Sequence, residues 1–459
     1  MKHLFNHFLV LSLALIIGFS FSSCDNGDDP DPLDDDTSIS SFVFEDINVS
    51  ATISGTDIAA TVAYNVDVTA LVPTITIAAT SSISPASGIA QDFTNPVTYT
   101  VTAENGDELV YTVTVVQEAP PVLAATAKWE RTLANGGLPE WFTANNDRDL
   151  AAHGDFVYVH NNNDKIRVLS STDGSDLKVR DTVDFIDGKE NFASGNLFLI
   201  NVATDDNGVI IGSNLRDGNG TNAWNVYKWD DKDAEQELLF DYVPAEDEAL
   251  ADNISVVGSV TGDGYVYAPG DGFFGASNNV YKFQITGGTV NTTPEIIAID
   301  GLTELGNGND VYPTSAASDA SMILAGTGIG GIAEYASDGT LIGKIPDALN
   351  TGETAMLFAF ALDVVPFELD GRKVIATTAT DFTANAADAG FLYLIDYTDG
   401  WDNLTADNII RVPFTPEGNI DANFNGTGGV DVVVNGDGTA TVYAMITNFG
   451  VAAFDVSFQ

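Results

Sequence analysis

The pentapeptide NVYKW at residues 225–229 returns as NVYKF at residues 279–283, 54 positions further along the chain. Each copy follows an apolar stretch and a loop rich in Gly, Asp and Asn. The same order can be traced in FVYVHNNNDKIRVLSSTDG, MILAGTGIGGIAEYASDG, VIATTATDFTANAADAGFLYLIDYTDG and TVYAMITNFGVAAFDV. If the second strand of each unit begins at Phe156, Val209, Tyr265, Met322, Val374 and Thr441, six units follow one another at spacings of 52 to 67 residues. Alternation of apolar and polar residues, broken by turns such as STDG, ASDG and NGDG, makes every unit β, and a period of this length fits one four-stranded sheet. Residues 127–459 therefore read as a six-bladed β-propeller, or a seven-bladed one if the long fifth unit holds an extra blade. A parallel β-helix is the weaker alternative, because its repeats are shorter and more regular.

The ends of this region complement each other. The last unit, GGVDVVVNGDGTATVYAMITNFGVAAFDVSF, supplies three strands, and AKWERTL at Ala127–Leu133 is a strand with no unit of its own. Pairing the two makes a fourth strand and removes an open edge that would invite aggregation.

Residues 39–116 have a different β pattern. In PVTYTVTAENGDELVYTVTVV, Val97, Tyr99 and Val101 point one way, the turn at Glu104–Asp107 reverses the chain, and Tyr111, Val113 and Val115 answer on the return strand. With SFVF, ATVAY and TITIAA upstream, this predicts an antiparallel β-sandwich of immunoglobulin-like size. The fold class is thus all-β throughout. Residues 117–126, with Pro120 and Pro121, read as a stiff linker.

At the N-terminus, Lys2 precedes the apolar stretch Leu9–Phe19 and the small residues Ser20, Ser22 and Ser23. About a dozen apolar residues are too few to span a bilayer, which needs roughly 20, so residues 1–23 read as a secretory signal peptide. Cys24 is the sole cysteine and cannot form an intramolecular disulfide. The residues ending at Cys24 resemble the lipobox of bacterial lipoproteins, in which the cysteine is acylated, although Phe21 stands where Leu is usual. That resemblance implies a membrane anchor at Cys24. The tract at 24–38, dominated by aspartate, reads as a flexible, self-repelling tether. It also looks like the signal that sends Bacteroidota lipoproteins to the outer face of the outer membrane. SSISPASGIAQDFTNPVTYTVTAENG is similar to the small N-terminal β-sandwich domains of Bacteroidota surface lipoproteins, and that resemblance implies a spacer.

Charge narrows the partners. Lys and Arg number 17 against 66 Asp and Glu, a formal net charge of −49, which repels phosphate backbones and excludes nucleic acid as a partner. The plain reading of this excess is a soluble surface.

The tight DG turns belong to one end of the propeller. SNLRDGNGTNAW, PGDGFFGASNN, TTATDFTANAADAG and the connections PAEDEALADN, GLTELGNGND and TPEGNIDANFNGTGG are long and polar, and gather at the other. Long loops on a rigid scaffold are where binding usually resides. They carry the aromatics Trp224, Phe273, Phe274, Phe382 and Phe449 beside Asp217, Asn219, Asp271, Asp310, Asp381 and Asn448. A flat ring next to amides and carboxylates suits a sugar, whose CH face stacks while its hydroxyls find partners at the edge. The competing reading makes these aromatics wedges between blades.

Catalytic machinery is scarce. Beyond the signal only His153 and His160 remain, no zinc spacing is evident, and a lone propeller histidine is more often a hydrogen-bonded structural residue. No GxSxG elbow occurs, and the arginines form no cluster by spacing. The aspartates of the DG turns, Asp173, Asp263, Asp338 and Asp437, are expected to bond locally within their turns. No cofactor is implied. Calcium would suit the oxygen-rich face, though no EF-hand spacing occurs. The expectation is a lipid-anchored outer-membrane protein on the cell surface that binds a glycan, in support of capture or uptake by an outer-membrane transporter. The rivals are a propeller enzyme (a lyase, glycosidase or lactonase working through loop carboxylates) and a protein-docking or adhesion scaffold.

Overall fold

The computed structural model describes residues 32–132, 137–142, 148–161, 165–187, 199–218, 222–245, 248–251, 253–270, 277–306, 308–349, 361–380, 390–413, 428–447 and 449–459. Cys24 and most of the stretches read as a signal peptide and a tether lie outside them. Among the described residues the secondary structure is β-strand with short 3-10 turns, and no helix is long and apolar enough to cross a membrane. The chain divides into two compact units, Met1–Pro120 and Pro121–Gln459.

The first unit has strands β1 (Ile39–Phe44), β2 (Val49–Ser50), β3 (Thr52–Ser54), β4 (Asp57–Val62), β5 (Thr74–Ile77), β6 (Ser82–Ser84), β7 (Val97–Thr102) and β8 (Glu108–Gln117). They form two sheets, β2-β1-β5 and β3-β4-β8-β7-β6. The hairpin has the expected register, with Val97 opposite Val113 and Tyr99 opposite Tyr111. Alternation buries Tyr99, Val101, Tyr111 and Val113 against Phe42, Phe44, Ile58 and Phe93. Phe42 meets Tyr99, and Phe44 meets Phe93, edge to face at 5.5 and 5.3 Å between ring centroids. The sandwich is not wholly antiparallel, as the sequence suggested, because β4 pairs with β8 in parallel. The direction of β8 is set by its hairpin with β7, and its free side then meets β4 running the same way.

Among the described residues the second unit contains six successive sheets of four or five strands, referred to as I to VI, besides a two-stranded pairing of Arg216–Asp217 with Ala249–Leu250. Their first strands are Leu150–His153, Ala203–Thr204, Ser255–Gly258, Asp310–Pro313, Ala361–Leu369 and Gly428–Val434. The second strands begin at Phe156, Ile210, Gly264, Met322, Arg372 and Ala440, within two residues of the positions read from the repeat. Sheet III carries a fifth strand, and the others have four. In sheet VI the terminal strand Gly450–Phe458 pairs with Leu123–Thr132, so the early strand belongs to the last sheet, as AKWERTL suggested, and it starts within the stretch read as linker.

Apolar layers explain the stacking. A middle strand is covered on both faces, which is why Met322–Gly326 and Ala440–Ile446 are buried at every residue and read as continuous apolar runs. Six cores lie between sheets in succession, I with II through V with VI, and the sixth lies between VI and I, where Trp129, Met445 and Val451 meet Leu150, Val157 and Val159. The first strands touch in the same cyclic order.

Candidate functional site

The aromatics expected to stack on a ligand divide into two groups. Phe273, Phe274 and Phe382, with Asn219, Asp271, Asp381 and Asn448, lie outside the described residues. Trp224 and Phe449 are described and are buried, with 0% and 5% of their surface exposed, which corrects the expectation that they face a sugar. Trp224 opens the third strand of sheet II and packs against Phe240 and Phe283 of sheets II and III, with ring centroids 5.5 Å away in both cases. Its indole N–H donates to Ser213 Oγ at 2.9 Å, so no polar edge is left for a ligand. Phe449 lies in the core between sheets V and VI. Both are wedges, because a large apolar ring beside a seam gains more by closing the seam than by facing water. The backbone of Asp217 pairs with Ala249, which ties one long segment to another.

Three of the long polar segments converge on one residue, Glu248, that the sequence reading missed. Glu248, in PAEDEALADN, accepts from Asn279 Nδ2 at 2.9 Å, from Ser277 Oγ at 3.2 Å and from the Tyr281 hydroxyl. Buried Arg216, from SNLRDGNGTNAW, donates through Nε to the Asn222 carbonyl at 2.7 Å and through Nη1 to the Glu248 carbonyl. Burial, and then the Glu248 carboxylate, hold the Tyr281 phenol well above its ordinary range, so it stays a hydrogen-bond donor. The cluster fixes the roots of the long segments between sheets II and III. Its signal was weak, since a Glu in an acidic loop looks like any other.

A second set of groups surrounds a cavity between the first strands. The cavity is narrow, with about 30 Å³ open to water, and its polar lining comprises Asp149, Thr204, Asn253, Ser255, Tyr312, Asp363 and Asp431. Asp310, expected at the loop face, lies in the same ring and is only 2% exposed. Each carboxyl bridges two strands. Asp149 accepts from its own neighbour Leu150 at 2.7 Å and from Val202 of sheet II at 2.8 Å. Asp310 accepts from Val311 at 2.7 Å and from Val364 of sheet V at 3.0 Å. Asp363 accepts from Val430 of sheet VI at 2.6 Å, and Asp431 from Ala152 of sheet I at 2.7 Å. Asp205, at the other end of its strand, does the same for Val260 of sheet III at 2.9 Å.

These bonds satisfy strand-end N–H groups that a ladder leaves over. The sequence did carry the signal: DLAA, DVYP, DVVP and DVVV all place Asp at or near the start of an inner strand. Burial pushes all four carboxyls up from the ordinary range, Asp431 to about 6, because the backbone N–H bonds only partly offset the loss of water. The lining is rich in acceptors and suits hydroxyl or ammonium donors. Among the described residues no group of three or more His, Cys, Asp or Glu converges to hold a metal ion.

His160 is fully buried, its backbone N–H donates to the Asp149 carbonyl at 2.8 Å, and its ring lies against the backbone of Leu199. Burial, then the charge of Arg148, push its ring down to about 3, and it is neutral. Of the turn aspartates, Asp173, Asp338 and Asp437 cap their own turns through Ser175, Thr340 and Thr439, whereas Asp263 reaches the backbone of Gly287 at 2.8 Å.

The family model described as SGBP, N-terminal, matches residues 39–115. No curated protein matches the chain. Among solved structures, a DUF4623 family protein from Bacteroides eggerthii is 14% identical with a TM-score of 0.53, covering 92% of this chain and 99% of that one. A gluconolactonase from Xanthomonas campestris is 10% identical at a TM-score of 0.38, over 74% of this chain and 96% of its own. BamB from Moraxella catarrhalis is 12% identical at 0.29, over 89% and 88%. The first unit is thus similar to the N-terminal part of SGBP proteins, and the all-β fold of the chain is similar to that of a Bacteroides protein.

Proposed function

We propose that this chain is a glycan-binding protein of the bacterial cell surface, anchored through Cys24, whose second unit is a closed six-bladed β-propeller that presents its ligand site at the end bearing the long polar segments. The observation that carries the reading is the match of residues 39–115 to the N-terminal SGBP model. Closure is supported by the pairing of Leu123–Thr132 with the terminal strand and by the bond that the Ala152 N–H donates to the Asp431 carboxyl. Since Trp224 and Phe449 are committed to the core, the stacking role falls to Phe273, Phe274 and Phe382, and the Glu248 cluster ties together the described ends of the long segments between sheets II and III. The partner is a polysaccharide handed on to an outer-membrane transporter.

The test is a polysaccharide array on the chain from Ser38 onward, with product analysis on any hit. Retention without cleavage, weakened about tenfold by Phe273→Ala with Phe274→Ala, supports the proposal, since a stacked ring contributes roughly 1 kcal/mol or more. Shortened or unsaturated products would instead make the protein an enzyme. Binding to no glycan would leave a docking scaffold.

A further inference from the structure

The acidic tract is bound to the first unit before its first strand begins. The Asp34 N–H donates to Glu104 Oε2 at 3.2 Å, and the Asp34 carbonyl accepts from the Asn105 N–H at 3.1 Å. The Asp34 carboxylate accepts from the Thr80 hydroxyl at 2.7 Å, and the Asp36 carbonyl from the Ser81 hydroxyl at 2.5 Å. Tyr111, buried in the sandwich core, completes the attachment: its hydroxyl donates to the Thr37 carbonyl at 3.1 Å and accepts from the Ile39 N–H at 3.3 Å. Within the tract, the Asp36 N–H donates to Asp34 Oδ1 at 3.0 Å and the Ser38 N–H to Asp36 Oδ1 at 2.8 Å. These local bonds pre-form the bend and reduce the entropy lost on docking.

All the partners of Asp34 and Asp36 lie at one end of the first unit. Glu104 and Asn105 belong to the turn between β7 and β8, and Thr80 and Ser81 precede β6, whose Ser82 pairs with Thr102 just before that turn. From this end β8 runs over ten residues to Gln117, about 30 Å at the rise of a strand. β4 runs beside it in the same direction, with Val62 opposite Gln117, and Gln117 Nε2 donates to the carbonyls of Tyr64 and Val66 at 3.0 and 2.8 Å. The chain therefore enters the first unit at the end of the Glu104–Asp107 turn and leaves towards Pro120 from the opposite end.

We propose that residues 34–38 are a strap belonging to the first unit, and that the strap makes this unit a directional stand-off on a lipid surface. The end bearing the Glu104–Asp107 turn faces the lipid headgroups, and the opposite end carries the rest of the chain away from them. This orientation rests on the reading of Cys24 as the acylated residue. The strap shortens the leash: from Cys24 to Asp34 the chain spans at most about 35 Å, whereas a tether free up to Ile39 would span about 50 Å. The near end is confined within the shorter distance of the surface, and the far end is held off by the length of β8.

The experiment uses the full acylated chain in phosphatidylcholine vesicles that carry a quencher on a fraction of their headgroups. Cys24 is the sole cysteine and acylation blocks its thiol, so one introduced thiol can be labelled with a fluorophore. Glu108→Cys places it beside the strap and Asn65→Cys at the far end, both at exposed positions. Quenching at Glu108→Cys is expected to exceed that at Asn65→Cys about twofold or more. Asp34→Ala with Thr80→Val should speed hydrogen exchange of the Asn105 amide about tenfold and narrow the difference between the two probes. Equal quenching of the probes in the acylated chain, or stronger quenching at Asn65→Cys, overturns the orientation, and unchanged Asn105 exchange in the double variant overturns the strap. Mass measurement of the purified chain reads acylation separately: an unacylated Cys24 removes the anchor and the orientation with it, while Asn105 exchange still decides the strap.

Discussion

Asp431 and Ala152 are 279 residues apart, yet the Asp431 carboxylate accepts the Ala152 backbone N–H at 2.7 Å, which joins the last sheet of the second unit to its first. The same carboxylate takes the N–H of its neighbour Val432 at 2.7 Å, so one side chain satisfies donors on two strands. Asp431→Ala leaves both without an acceptor. A buried donor without a partner costs about 1–3 kcal/mol, and a loss near 2 kcal/mol is expected in urea unfolding at pH 5. A loss below about 0.5 kcal/mol would show that the seam does not depend on this bond.

The same residue gives a pH dependence of known sign. Its value is raised to about 6 from 3.8 by burial, so its stabilising contribution is complete below pH 4 and is lost as pH rises through about 6. Thermal midpoints at constant ionic strength should therefore fall between pH 5 and pH 7. Asp431→Asn should fall less over that interval, and an identical fall would assign the dependence to other groups.

The early strand Leu123–Thr132 is expected to be indispensable to the second unit. Trp129 on this strand packs against Tyr443 and donates its indole N–H to the Ser171 carbonyl at 3.0 Å. The turn beneath it requires glycine at Gly174, where φ is +67° and an added Cβ would lie 2.6 Å from the indole ring. Trp129→Ala should cost about 3–5 kcal/mol, and Gly174→Ala about 1–3 kcal/mol. Chemical denaturation of the two variants checks both values, and equal stability to wild type in either would contradict the packing described.

Trp224 separates a wedge from a binding platform. Because it is fully buried between sheets II and III, Trp224→Ala is expected to lower stability by about 3–5 kcal/mol, leaving a cavity that its neighbours cannot fill. Calorimetry reads the effect. A variant with an unchanged melting temperature and lost glycan retention would return the residue to the ligand site.

Anchoring is tested at Cys24. Cys24→Ala is expected to leave the protein in the soluble fraction or with its signal attached, since several acyl chains are what hold such a protein on a membrane. Processed mutant protein that stays with the outer membrane would count against lipidation.

Local pattern was enough to define the strands. Alternation in PVTYTVT and ELVYTVT sets which residues of a hairpin share a face, so Tyr99 and Tyr111 were legible as a buried pair before any fold was known. The repeat of NVYKW placed every second strand of the larger unit within two residues, because a four-stranded sheet imposes its own length on the sequence. The pairing of Ala127–Thr132 with the chain's last strand was legible too, because each was incomplete without the other.

What only the tertiary structure decided is which side of a seam a residue faces. Trp224 and Phe449 sit among Asn and Asp in the sequence, and nothing local distinguishes a ring that closes a gap between sheets from one that meets a sugar. The parallel pairing of β4 with β8 depends on the path of the chain between them, which alternation does not encode. The bridging carboxyls were legible only in part, since an Asp at or near the start of an inner strand recurs in DLAA, DVYP, DVVP and DVVV but does not name its partner. Asp149, Asp310, Asp363 and Asp431 are four among 66 acidic residues, and each acquires its role from an N–H on the next sheet, 53 or more positions away. Burial and proximity, not residue type, convert an ordinary carboxylate into a bridge, and both are properties of the assembled sheets.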